Sequence, residues 1–446
     1  MPTQSEIQTC INNLDSSVTA GDIIYLAAET DNLTANRSIT VATVDDLPDL
    51  SLGTVGLGTV MFVESLGVPV IADVNKWTGL DGRLLRRDYT LSQAWAWGRG
   101  SFGYLGDGTT TNKSSPVSVV GGFTDWCQVS AGGYHSLGLR TNGSAWAWGV
   151  GLNGRLGDGT IVSKSSPVSV VGGFTWCQVS AGAGHNIAIQ NNGTARAWGL
   201  GANGRLGTGS TTAQSSPTLV VGGFTDWCQV SAGGYHSLGV RSNGSAWAWG
   251  LNNNGRLGDG TTVSKLSPVS VVGGFTWCQV SAGGYHSLGL RSNGSVWAWG
   301  LNNNGQLGDG TTVNKSSPVS VVGGFTDWCQ VSAGICHSIS LRSNGTAWTW
   351  GLNNSGQLGD GTAVNKSSPV SVVGGFTNWC QASAGRLHSI GVRTNGTVWA
   401  WGSNVVGQLG DTTIVNNSSP VSVVGNFTNW CQVAAGYCHS LAIRNF

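Results

Sequence analysis

Seven histidines, His135, His185, His236, His286, His337, His388 and His439, recur at steps of 50 or 51 residues, and all but His185 precede a serine. Serine and histidine together suggest nucleophilic catalysis, with the imidazole taking the hydroxyl proton. Adjacent residues of a strand point to opposite faces, so His135 and Ser136 cannot pair with each other in that way. A group present in every repeat also lacks the unique constellation that catalysis needs. The expectation is a structural imidazole in each repeat, holding a backbone carbonyl or a hydroxyl.

Other motifs invite chemistry and fall short of it. Gly98 to Gly103, Gly149 to Gly154 and Gly199 to Gly204 match GxGxxG. That fingerprint works only where a helix presents its N-terminus to a pyrophosphate, and here a turn and an edge strand are predicted. The GDGT segments at Asp107, Asp158, Asp259, Asp309 and Asp360 offer one carboxylate each, too few for calcium, and read as side-chain-stabilised turns. Seven of the ten cysteines, Cys127, Cys177, Cys228, Cys278, Cys329, Cys380 and Cys431, sit in W-C-Q and read as small buried side chains; Cys10, Cys336 and Cys438 are irregular. There is no CxxC, so no zinc site, no other metal and no cofactor is expected. Asn-x-Ser/Thr sequons such as Asn142, Asn192 and Asn243 coincide with predicted hairpin turns, and glycosylation there would require passage through a secretory pathway.

The elements that carry these residues follow from one repeat, 126–176. WCQVSAG and HSLGLRT alternate like short strands, Asn142-Gly143 predicts a type I′ hairpin turn, SAWAWG follows, and SSPVSVVGG reads as an edge strand because of its proline. Four strands per unit, seven units and no helical period give an all-β, seven-bladed propeller over 91–446. The WxWG beat runs through Trp95, Trp146, Trp247, Trp297, Trp348 and Trp399, with Arg196 as its one exception; paired tryptophans such as Trp146 and Trp148 are expected to pack between blades. The array opens on its third strand at Gln93–Gly98 and ends on its second at His439–Phe446. The C-terminal strand should therefore pair with the early one and close the ring.

The repeat resembles that of the regulator-of-chromosome-condensation family, through G-x-x-H-S (Gly132 to Ser136), N-G-[ST]-x-W-x-W-G (Asn142 to Gly149) and N-x-G-[RQ]-L-G-D-G-T (Asn253 to Thr261). The resemblance implies the seven-bladed fold. It does not by itself imply nucleotide exchange on a GTPase, because the inserted loops and basic tail of the exchange factors are missing.

Residues 1–90 form a separate unit on composition, with 5 Lys/Arg against 12 Asp/Glu, whereas 91–446 carry 17 against 9. A capping box at Ser5–Gln8 suggests a short helix through Leu14, segments 22–30 and 37–44 read as extended or mixed, and Gly58–Val63 with Val68–Ile71 reads as a hairpin. A small mixed α/β module results. Its pattern V-D-D-L-P-D-L (Val44–Leu50), Gly58–Ile71 and Lys76–Arg83 is similar to N-terminal modules of marine bacteriophage structural proteins. This implies a virion component, attached to virion proteins through residues 1–90, homo-oligomeric and displaying the propeller to a host cell-surface ligand. The alternative is a cytoplasmic propeller scaffold or regulator that binds a protein partner, such as a GTPase exchange factor. An enzyme is not expected. The diffuse positive charge argues against specific nucleic-acid binding, and no stretch approaches 18 apolar residues, which argues against membrane insertion. No basic and apolar leader opens the chain, so no signal peptide is expected.

Function in a near-perfect array should lie where the period breaks. The candidate contact residues are Phe102 and Tyr104 in the first glycine-rich loop, Arg196 in place of tryptophan, Arg386 before its histidine, and Val405 and Val406 in an otherwise polar loop.

Overall fold

The computed structural model describes residues 91–446 in full and, before them, only the backbone of four strands. The chain divides into two units, Met1–Tyr89 and Thr90–Phe446. In the first, Val60–Val63, Val68–Asp73, Lys76–Gly79 and Leu84–Leu85 form an antiparallel sheet in chain order, with Val60 opposite Ile71. The helix expected near Ser5 and the segments 22–30 and 37–44 lie outside the described residues.

The second unit is seven four-stranded antiparallel sheets. The first blade runs Trp126–Ala131, His135–Arg140, Ala145–Gly149 and Lys164–Ser169, from the axis outward. Five more repeat this order, starting at Trp176, Trp227, Trp277, Trp328 and Trp379. The seventh joins both ends of the array: Trp430–Ala435 and His439–Asn445 pair with Ser92–Gly98 and Lys113–Ser118. The closing register runs without a break from His439 opposite Gly98 to Asn445 opposite Ser92.

Local chemistry explains each element and corrects two expectations. The Asn142-Gly143 turn is not type I′, because Gly143 alone has positive φ (78°). Gly143 N–H bonds the Arg140 carbonyl and Arg140 N–H bonds that of Ser144, so the loop has three residues, a type I turn closed by a glycine bulge. Asn142 Oδ1 accepts the Ser144 N–H at 3.0 Å, which fixes the asparagine outside the left-handed region. The W-C-Q cysteines are likewise not buried: Cys127, Cys228, Cys278, Cys329 and Cys380 are exposed. A bulge between Trp126 and Gln128 breaks the two-residue alternation, so Trp126 and Val129 share the inner face and Cys127 turns out. The outer-strand proline falls where pairing lapses, as at Pro116 between Lys113 opposite Gly98 and Val117 opposite Ala96.

The core lies between blades. Trp148 of the first blade packs with Leu105, Leu441, Ile443 and Ala96 of the seventh, and donates its indole N–H to the Tyr104 carbonyl at 3.0 Å. Each such indole removes on the order of 150–250 Å² from water, an upper bound of about 4–6 kcal/mol. Gly106 is required beneath it: its φ is 68°, and a Cβ there would stand 2.8 Å from the Trp148 ring nitrogen.

Candidate functional site: the axial mouth

Each recurring histidine reaches across to the next blade. Nε2 of His185, His236, His286, His337, His388 and His439 lies 2.8–3.0 Å from the hydroxyl of Ser237, Ser287, Ser338, Ser389, Ser440 and Ser136. Each hydroxyl gives its one hydrogen to a loop carbonyl, as Ser136 does to Tyr104 at 2.9 Å, so the imidazole must donate from Nε2. At the remaining seam His135 meets Asn186 instead. The amide keeps both roles, since Oδ1 accepts from the ring while Nδ2 donates to the Arg155 carbonyl. A second belt runs closer to the axis, where glutamines such as Gln128 clasp the backbone of the next inner strand at both N–H and C=O of Val179.

These belts exclude Ser-His catalysis on geometry. The imidazole presents N–H to the hydroxyl, so it cannot act as base, and all seven histidines are fully buried. Burial holds His135, His286, His337 and His439 near a pKa of about 3 and His388 near about 4. They are neutral struts. The channel between the inner strands, lined by Gly132, Gly182, Gly233 and their equivalents, holds about 70 Å³, well below the roughly 300–1,000 Å³ of ordinary ligand pockets.

At the end of the axis bearing the glycine-rich loops, the ring ceases to be uniform. The first of the two residues before each histidine borders the opening, as Gly133, Ala183, Gly234, Gly284, Ile335 and Tyr437 do, and Tyr134, Tyr235, Tyr285 and Arg386 gather around Tyr437. Tyr134 packs edge-on to Tyr437 at 5.5 Å between centroids, and Tyr235 lies 5.3 Å from Tyr285. Beneath them are three buried arginines from successive loops, Arg155, Arg205 and Arg256, at 6%, 3% and 1% exposure. Their guanidinium carbons stand 5.7 Å over Tyr134, 5.3 Å over Tyr235 and 5.4 Å over Tyr285. They donate to carbonyls, Arg205 Nη1 to Gly234 at 3.1 Å for example, while Arg256 Nη2 also reaches the side chains of Asn253 and Asn254. Burial draws Arg256 down to about 10, and its Nε has no partner.

Seven consecutive windows, 92–139, 142–189, 192–240, 243–290, 293–341, 344–392 and 395–443, match the Regulator of chromosome condensation (RCC1) repeat, and five shorter ones between 126 and 408 match a second description of it. The chain belongs to the RCC1 repeat family. The ultraviolet-B receptor UVR8 of Arabidopsis thaliana is 30% identical over 356 residues, 78% of this chain and 70% of the receptor. The E3 ubiquitin-protein ligase HERC2 of Homo sapiens is 32% identical over 220 residues, and the match spans 48% of this chain but only 5% of the ligase. Among solved structures, human WBSCR16 superposes with a TM-score of 0.72 at 20% identity, covering 79% of this chain and 99% of that one. Prp20p from Saccharomyces cerevisiae gives 0.71 at 22%, covering 80% and 92%, so both attest the fold. These likenesses lend no support to virion attachment through residues 1–90 or to a virion location. Among the described residues no helix is long and apolar enough to cross a membrane.

Within this RCC1 propeller the candidate residues separate. Arg386 is exposed at the mouth, where it bears on the hydroxyl of Tyr437. Phe102 is 59% exposed on the same face and takes a left-handed φ of 57°, the conformation of Asn153 and Asn203 in the next two loops. Tyr104 is not exposed: at 4% it fills the position of the buried arginines and packs on Tyr134 and His439. Val405 is 63% exposed and Val406 half-buried, in the loop of the sixth blade. Arg196 belongs elsewhere, 4.1 Å over Phe174 near the hairpin-turn end, with Nε on Gln190. The expectation passed over Tyr134, Tyr235, Tyr285, Tyr437 and the three buried arginines. Their signal was present in the Arg-or-Gln split of the loop motif, at Arg155, Arg205 and Arg256 against Gln306, Gln357 and Gln408.

Proposed function

We propose that this RCC1 propeller is a non-catalytic scaffold that takes a protein partner across its loop face, centred on the axial mouth. One observation carries the reading: side chains that vary from blade to blade converge at this opening, while the rings of histidine and glutamine below it are committed to holding blades together. A rigid rim with aromatic and guanidinium groups suits protein recognition, where tyrosine and arginine supply much of the binding energy. One neighbour of this architecture binds proteins: Prp20p, the yeast RCC1, has binding properties toward Gsp1p and histones and forms a complex with Kap60. GTPase exchange is a narrower activity that the short, nearly uniform connections between blades do not favour. Virion display would be one setting for such a scaffold, and genes for capsid or tail proteins beside this one would support it.

Affinity capture from the source cells tests the face. A partner retained by the full chain should be lost with Arg386→Ala plus Phe102→Ser and kept with Asn243→Ala and Asn293→Ala at the opposite end. Loss with the hairpin-end variants alone would overturn the assignment.

A further inference from the structure

The charge of the described array is divided in space. Asp107, Asp259, Asp309 and Asp360 pair with lysines of their own loops at 3.5–3.7 Å. Asp125, Asp226 and Asp327 pair with arginines of the hairpin end at 2.7–2.8 Å. No carboxylate of the described residues reaches Arg155, Arg205, Arg256 or Arg386, which all belong to the mouth. Three of these cations are sealed from solvent and partnered by neutral groups, so their field is weakly screened and emerges at the opening. Two of the tyrosines above them stay protonated as hydrogen-bond donors: burial raises Tyr437, and the hydrogen bond with Tyr235 raises Tyr285 to about 12.

Building on the loop-face reading, we infer that the mouth receives an acidic segment of the partner, an extended peptide whose Asp or Glu side chains meet Arg386 and the tyrosine hydroxyls. Arg386 supplies the exposed fork for a carboxylate, and Arg155, Arg205 and Arg256 supply a fixed positive floor. Exposed Phe102 and Val405 on the same face offer apolar contact beside the charge. Nucleic acid fits less well, because three of the four cations are recessed and do not form an exposed stripe along which phosphates could run.

The test is selection of a random peptide library against the full chain, followed by titration of an enriched, fluorescently labelled peptide. Enrichment in Asp and Glu is expected, with binding weakened as salt rises and lost when those residues become Asn and Gln. Arg386→Ala and Arg256→Gln should each weaken binding by roughly tenfold. Arg256→Gln is a safe probe of charge, because Gln306 occupies the same place in the next loop of otherwise identical pattern. Neutral peptides that still require Arg386, Phe102 and Tyr437 would overturn the acidic-segment inference and leave the loop face standing. Peptides indifferent to all three would overturn both. No enrichment, or displacement of the acidic peptide by a short DNA duplex at lower concentration, would overturn the inference.

Discussion

The histidine belt and the rim of the mouth are one or two residues apart in the chain, at the start of each second strand and in the bend before it, and obey opposite rules. Each belt histidine performs one task, donating to the next blade, and the single departure at its acceptor, Asn186, preserves donor and acceptor alike. The two residues before each histidine share no such constraint: Gly133-Tyr134, Ala183-Gly184, Gly234-Tyr235, Gly284-Tyr285, Ile335-Cys336, Arg386-Leu387 and Tyr437-Cys438. A backbone bond between neighbouring blades holds this position, as from Gly133 N–H to the Gly182 carbonyl at 3.0 Å, and leaves the side chain uncommitted. The ring is thus built from side chains at the belt and from backbone at the mouth. That difference lets one end vary without loosening the other.

Cutting the ring should have the largest effect. Removing Ala435–Phe446 takes away His439 and the strand that pairs with Ser92–Gly98, leaving two open blade edges. Cooperative unfolding in calorimetry should disappear. A truncated chain with an unchanged sharp transition would show that closure is not what stabilises the propeller.

Acid attacks the belt without cutting it. The unfolded imidazoles titrate near 6.5, whereas five folded ones are held at about 3 or 4 and His185 and His236 lie well below 6.5. Folded pKa values are depressed, so stability is complete above pH 6.5 and drains as pH falls toward the folded values. Each histidine contributes up to about 1.4 kcal/mol per pH unit in that window. Summed over seven histidines this exceeds the net stability of an ordinary domain, so the denaturant midpoint at pH 4.5 should fall far below that at pH 7.5 or the fold should be lost. Equal midpoints would contradict the neutral, buried assignment.

A single strut costs less. His286→Ala should destabilise by about 2–4 kcal/mol, from the cavity and the lost donor to Ser338. Ser338→Ala should cost about 1–3 kcal/mol, and Ser338→Asn should recover most of it, since Asn186 already does this work at another seam. If asparagine proves as harmful as alanine, the donor order assigned to the belt is wrong.

How far these regions could be read beforehand follows from how local their causes are. Period, blade count and the phase that joins His439–Asn445 to Ser92–Gly98 are properties of spacing and were legible in the sequence. The bulge that exposes Cys127 was not, because a two-residue alternation gives no sign of where it slips. Nor was the turn at Asn142, whose conformation is set by which residue must take positive φ, and only Gly143 does. The mouth was hidden for another reason. Arg155 and Tyr134 come from different loops of one blade, and Arg256 lies over Tyr235 and Tyr285 from two blades, so convergence appears only after the ring closes. Of the breaks in period, Arg386 and Phe102 fell on this face, while Tyr104 fell beneath it.

Phe102 sharpens the contrast between constraint and freedom. A phenylalanine at φ 57° is held where Asn153 and Asn203 sit with little strain. Phe102→Asn should therefore stabilise the fold by about 0.5–1 kcal/mol while weakening partner capture. Stabilisation with capture unchanged would remove Phe102 from the binding face.

Arg196 gives the smallest effect, and it separates a break in the repeat from a binding residue. Elsewhere an arginine of the second strand stacks on the phenylalanine before the blade, as Arg140 does on Phe123 at 4.5 Å, with Trp146 beside them at 4.6 Å. In the second blade Gln190 replaces that arginine and Arg196 replaces that tryptophan, yet a guanidinium still covers Phe174 at 4.1 Å. The cation has moved to the neighbouring strand, and Gln190 Oε1 accepts its Nε hydrogen at 3.0 Å. The two departures are one exchange. Gln190→Arg alone would set two guanidiniums against one ring, and Arg196→Trp alone would remove the only one. Each should cost about 0.5–1 kcal/mol, and the double variant should return to the parent stability, a favourable coupling of about 1 kcal/mol in the thermodynamic cycle. Strictly additive costs would mean that the phenylalanine does not link the two positions, and would return Arg196 to the candidates for partner contact.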